Sequence, residues 1–144
     1  MIGDERIEDG LAPLRPVGYG KVPVEGKWRH APFEDRAVGD RLVAVLSIDP
    51  GVALLAVDRN GGEMLLIDDD GSVQLINSSV ELLVRCSEAY RKARRSARRI
   101  EDDDAALEEL AARTLAEVEQ LDPGATRDEN QLWPSAIEEI ECGI

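Results

Sequence analysis

The spacing of apolar residues changes character partway along this chain. From Arg41 to Ile76 they fall in four short runs rich in Val, Leu and Ile: Arg41–Ile48, Val52–Asp58, Glu63–Asp68 and Ser72–Ile76. Between the runs stand Asp49-Pro50-Gly51, Asn60-Gly61-Gly62 and Asp70-Gly71. Asn-Gly and Asp-Gly supply the positive φ angles that tight hairpin turns require. Short strands joined by three successive turn signals predict a four-stranded antiparallel meander over residues 41–76. Unbroken apolar stretches such as Val43–Leu46 and Val52–Val57 predict central strands covered on both faces.

After Ile76 the period lengthens to that of a helix. Ser78, Ser79, Val80 and Glu81 spell an S-x-x-E capping box, in which a serine and a glutamate satisfy free amides. Leu83, Cys86, Tyr90, Ala93, Ala97 and Ile100 then recur at steps of three and four, predicting a helix over 79–99. Leu107, Leu110, Ala111, Leu115 and Val118 predict a second helix over 104–120, with acidic residues in its first turn to suit the dipole. Asp122-Pro123-Gly124 ends it. Trp133, Ile137 and Ile140 share a face of a third helix over 132–141, with Pro134 tolerated in its first turn. The fold class is therefore α+β: a central antiparallel meander flanked by C-terminal helices.

Residues 1–40 show neither period. Pro13, Pro16, Pro23 and Pro32 alternate with Gly10, Gly18, Gly20 and Gly26. The expectation is disorder over 1–10 and an irregular stretch over 11–40 with short strands near Lys21–Val24 and Trp28–Phe33. A length of 144 residues fits a single domain, 1–144.

Charge narrows the partners. A net charge of −13 opposes nucleic-acid phosphates and suits solubility or a basic protein partner. Cys86 and Cys142 make no disulfide framework and read as buried free thiols in a reducing compartment. The first residues lack the basic and apolar regions of a signal peptide, and no apolar run approaches the roughly 20 residues of a membrane span. A cytoplasmic protein away from membranes is expected.

Catalytic and ligand motifs fit poorly. Asp68-Asp69-Asp70-Gly71 invites a calcium-loop reading, but Leu66 and Asn77 stand where that loop needs its first ligand and its bidentate glutamate. A hairpin turn with solvated carboxylates explains the cluster. His30 is the sole histidine and lies in a proline-flanked segment, with no G-x-S-x-G elbow in the chain. Val17-Gly18-Tyr19-Gly20-Lys21 lacks phosphate-loop and dinucleotide spacing. Neither catalytic residues, nor a metal, nor a cofactor is expected. The basic run Arg91–Arg99 is followed by Glu101–Asp104, Glu108 and Glu109, which reads as an intramolecular charge match between successive helices. Asp68, Asp69, Asp70, Glu138, Glu139 and Glu141, flanked by Asp128 and Glu129, are the candidate partner-binding residues. They could form one negative face that steers a basic protein.

Two segments carry a family likeness. Ile76-Asn77-Ser78-Ser79-Val80-Glu81-Leu82-Leu83 leads into a long helix containing Tyr90, and the chain closes on Glu129–Ile144 with Trp133, Glu138, Glu139, Glu141 and Gly143 at set spacing. This resembles the fourth family of the SUKH superfamily of bacterial immunity proteins. That family carries a strand, a "VNSS" corner and a helix, then a final W-x-x-x-x-E-E-(apolar)-E-x-G-(apolar) helix. The likeness covers 41–90 and 129–144. The proline-rich first 40 residues, the arginine-rich helix end and the acidic helix after it depart from the pattern. The resemblance implies a sheet flanked by helices. It also implies a non-enzymatic cytoplasmic protein whose partner is a cognate protein toxin, often a nuclease or nucleic-acid deaminase, blocked by occlusion of its functional site. A non-catalytic scaffold of the same fold with a housekeeping partner is the alternative. A toxin-like gene beside this one would decide between them.

Overall fold

In the computed structural model, which describes residues 1–143, the meander and the three C-terminal helices stand close to their expected places. Helix α1 (Asp4–Leu11) comes first, then strands β1 (Lys27–Trp28), β2 (Asp35–Val38), β3 (Arg41–Asp49), β4 (Ala53–Asp58), β5 (Met64–Asp68) and β6 (Val73–Asn77). Helices α2 (Val80–Arg99), α3 (Asp104–Leu121) and α4 (Leu132–Glu141) follow, with a 3-10 turn at Pro123–Thr126. The sheet is antiparallel and six-stranded, in the order β1-β3-β4-β5-β6, with β2 also paired to β3. Two more strands than the meander therefore join it. They lie in the proline-rich segment, whose short extended pieces lack a period long enough to read.

Alternation along the strands divides the core into two. Ala44, Leu46, Leu55, Val57, Met64 and Ile76 face the helices and pack with Leu83, Tyr90, Leu110, Trp133 and Ile137. Val43, Ala56, Leu65 and Ile67 form a second, smaller cluster on the opposite face, bordered by Val38, Leu54 and Leu75. All of its members and the residues bordering it are strand residues, so no helix packs on this cluster. Register shifts place Leu46 of β3 and Ile76 of β6 as extra residues, and such bulges increase local twist.

The sheet-to-helix corner differs from the expected capping box by one residue. Ser79 is the N-cap of α2, its hydroxyl accepting from Leu82 N at 3.1 Å, so Glu81 falls one position short of the reciprocal bond. Ser78 turns to Asp122 instead. The Asp122 carboxylate, only 2% exposed, accepts from Ser78 N at 2.8 Å, Ser78 Oγ at 2.7 Å and Asn77 Nδ2 at 2.9 Å. Asn77 Oδ1 in turn accepts from Trp133 Nε1 at 2.7 Å, and the Trp133 ring meets Tyr90 edge-on at 5.6 Å. One buried group thus ties β6, the end of α3 and α4 together. Cys86 sits against Asn77, and burial pushes its thiol up to about 11, which leaves it inert. Cys142, expected to be buried, is exposed at the end of α4.

The N-terminal segment corrects the expectation of disorder. Ile7, Leu11 and Leu14 are buried at helical spacing, with Ile7 and Leu11 fully so. Arg59 anchors the segment: Nη2 pairs with Asp4 at 2.6 Å and Asp35 at 2.8 Å, and Nη1 donates to the Ile2 carbonyl at 3.2 Å. The Arg59 guanidinium in turn holds Asp4 below its ordinary carboxylate range. Gly10 reads as a breaker in sequence but serves as a packing position. A Cβ there would sit 2.7 Å from Val80 Cγ1, so α1 reaches α2 only because Gly10 has none.

Two substitutions test these anchors. Gly10→Ala improves helix propensity by about 1 kcal/mol yet is expected to destabilise the protein by roughly 1–3 kcal/mol, because stiff Val80 cannot yield. A stabilised variant in urea unfolding would refute the close contact. Asp122→Ala strands the buried Asn77 amide and two part-buried Ser78 donors and is expected to cost about 1–3 kcal/mol in the same measurement. Asp122→Asn should cost only about 1 kcal/mol, since the Ser78 hydroxyl can reverse and accept from the new amide. Equal losses for the two would show that charge, not hydrogen bonding, is what the corner needs.

Candidate functional site

The helix-free face of the sheet carries the larger of the two acidic grooves. Residues facing it follow from register: Arg36 lies opposite Val43, Ile48 opposite Leu54, and Leu54 opposite Ile67. Val38, Ile48, Leu54 and Ile67 line a groove of about 420 Å³, bordered by Asp49, Asp68 and Asp69 and, on β2, by Arg36. Asp69 N donates to the Val52 carbonyl at 2.9 Å, which fastens the β5–β6 turn to the β3–β4 turn and gathers the three aspartates on one rim. Val52 (57% exposed) and Val73 (43% exposed) leave apolar surface open beside it. Gly71 takes φ +89° to close the turn. Asp70 accepts from Ser72 N at 2.9 Å, and that bond lowers its pKa from the ordinary carboxylate value. Elsewhere on this face Asp58 fixes Arg41 at 2.7 Å while also accepting from Asn60 and Gly61 amides.

The six candidate carboxylates do not share one groove. Asp68 and Asp69 line the groove just described, with Asp70 beside them in the turn. Glu138 and Glu141 join Glu108 and Glu129 around a second groove of about 380 Å³, formed where α3 and α4 pack and lined also by Leu115 and Ile137. Glu139 lines neither. Burial pushes the Tyr90 phenol up against the opposing Arg94 charge, with Tyr19 and Glu139 adding to the rise. The apolar floor and Asp49 were missed in the sequence because β2 has no readable pattern and Asp49 reads as turn punctuation. The unbroken apolar runs of β3 and β4 were the available signal.

The charge match expected between α2 and α3 is absent. Among the described residues no ion pair joins Arg91–Arg99 to the acidic turn or to α3. The reason is geometric. Asp103 is occupied as the N-cap of α3, accepting from Ala106 N at 3.0 Å, and the stripe containing Arg94 faces the Gly20–Lys21 loop instead. His30 is exposed, with Nδ1 3.6 Å from Glu8 of α1. Among the described residues no group of three or more His, Cys, Asp or Glu is arranged to hold a metal, and no helix is long and apolar enough to cross a membrane.

An antiparallel sheet backed on one face by helices, with an acidic-rimmed apolar groove on the other, defines a helix-backed α+β protein. The particular family follows from sequence: the SUKH-4 immunity protein family model matches residues 19–139, and the chain belongs to that family. The match includes the arginine stripe and α3, which lie outside the two segments that carry the resemblance, while α1 precedes it. Ile144, the last position of the C-terminal motif, lies outside the described residues. No curated protein matches the chain, and no solved structure does.

Proposed function

We propose that this chain binds and neutralises a cognate polymorphic toxin in the cytoplasm of a bacterium, by occlusion and without chemistry of its own. The observation that carries the reading is the groove on the helix-free face. It combines an apolar floor, which supplies contact area, with an aspartate rim at Asp49, Asp68 and Asp69, which selects a basic partner. Toxins that act on nucleic acid present basic clefts, so the nuclease and deaminase classes fit such a rim. The exposed side chains of Val52 and Val73 extend the apolar contact beyond the groove. Family membership supports the immunity role, and the rigid turn-to-turn bond at Asp69 keeps the rim preorganised. Asp70 belongs to the same rim. Glu138, Glu139 and Glu141 belong to the flank at α4 and contribute long-range attraction.

Co-expression with the toxin encoded beside the gene is expected to restore growth, and absence of both rescue and complex would sink the reading. Within a complex, Asp68→Lys with Asp69→Lys should slow association by about tenfold or more at low salt. Val52→Asp should speed dissociation. Glu138→Lys with Glu141→Lys should change affinity by less than about threefold. A larger effect from the α4 pair than from the turn pair would move the docking face to the α3–α4 groove.

A further inference from the structure

The acidic chain also carries a groove whose charged lining is all basic. It measures about 290 Å³ and is lined by Gly20, Lys21, Arg91, Arg94, Arg95 and Arg98. The four arginines are spaced i, i+3, i+4 and i+7, which is one face of α2 over two turns. Like charges at those spacings destabilise a helix, and among the described residues none of the four has an acidic partner. What positions the groove is uncharged. Lys21 Nζ donates to the carbonyls of Leu14 at 2.9 Å and Pro16 at 2.8 Å. Ser87 Oγ donates to the Lys21 carbonyl and pins the loop to α2. Arg94 lies over the Tyr90 ring at 5.6 Å and reaches the Gly20 carbonyl at 3.5 Å. The cations are therefore held in place with no direct carboxylate partner among the described residues, Glu101 standing near Arg94 and Arg98 around an adjoining pocket without pairing with them. Next to Gly20, Tyr19 leaves 46% of its surface exposed.

We propose that this groove binds a nucleoside polyphosphate, with the guanidinium forks and Lys21 on the phosphates and the Tyr19 ring against the base. Arginine presents paired donors that match phosphate oxygens, and a base stacks on any exposed aromatic face. A compact ligand is favoured over a nucleic-acid strand for two reasons. A strand continuing past Arg98 would run into Glu101, Asp102, Asp103 and Asp104, and the net charge of −13 repels a long polyanion. The groove lies on different elements from the acidic rim, so this proposal stands or falls apart from toxin binding.

Titration calorimetry of the whole chain tests it, with adenosine triphosphate, tripolyphosphate and a single strand of about twelve nucleotides as probes in metal-free, low-salt buffer. Adenosine triphosphate is expected to saturate one site below about 1 mM. Arg95→Glu with Arg98→Glu, both exposed, should weaken it by about tenfold or more, with circular dichroism unchanged. If that pair disturbs the fold, Arg95→Gln carries the same expectation with a smaller loss. Tyr19→Ala should weaken the nucleotide and leave tripolyphosphate unaffected. No saturation by the nucleotide in that range, or equal affinity in the arginine variants, would overturn the site. Tighter binding by the strand than by the nucleotide would overturn the compact ligand.

Discussion

The arrangement depends on one buried carboxylate. Asp122 closes α3 and accepts three hydrogen bonds from the Asn77-Ser78 corner, where the sheet hands over to the helices. A carboxylate leaves water at a large cost unless donors replace its hydration, and here backbone and side-chain donors do so. Because those donors come from β6, the bond also fixes where α3 must end. Trp133 then joins the corner by donating to Asn77, so α4 is oriented by the same group. Three distant segments of sequence are held by a single polar cluster inside an aliphatic core with few aromatics.

The same cluster explains why so much of the fold was legible and where legibility stopped. Strand and helix periods, with Asn-Gly and Asp-Gly punctuation, are local signals, and the elements from Arg41 onward follow them closely. The cap was misread by one residue because S-x-x-E is local too, whereas the claim of Asp122 on Ser78 spans 44 residues. Tertiary bonding overrode a valid local motif. Asp122 itself reads only as a helix stop before proline. Its function as acceptor has no signature within its own neighbourhood.

Residues 2–14 were hidden for a related reason. Their apolar stripe is short, and Gly10 interrupts it with the residue least suited to a helix interior. The helix persists because packing supplies what propensity lacks: Ile7 and Leu11 are fully buried, and Arg59 gathers Asp4, Asp35 and the Ile2 carbonyl into one anchor. Short helices draw their stability from tertiary contact. Composition alone therefore underestimates a segment whose partners lie far along the chain, as Arg59 lies 57 residues from Ile2.

Charge follows the opposite logic to the core. The carboxylates that hold the fold, Asp4, Asp58 and Asp122, are engaged by arginines or donors, whereas among the described residues no carboxylate pairs with an arginine of the α2 stripe. Had α2 and α3 neutralised one another as their sequences invite, both faces would be inert. Instead α3 takes Asp103 for its own cap, and the stripe is left facing a loop pinned by Ser87. In the family motif Asn77 and Trp133 are buried and Ser78 and Ser79 spend their hydroxyls on Asp122 and the α2 cap, so this part specifies the scaffold and says little about the partner. Selectivity must come from charges that the scaffold leaves unspent, and these are segregated: aspartates around an apolar groove on the bare sheet face, arginines along the outer face of α2. Two surfaces of opposite sign on one small domain would favour different ligands of uniform charge, because what attracts such a partner to one repels it from the other.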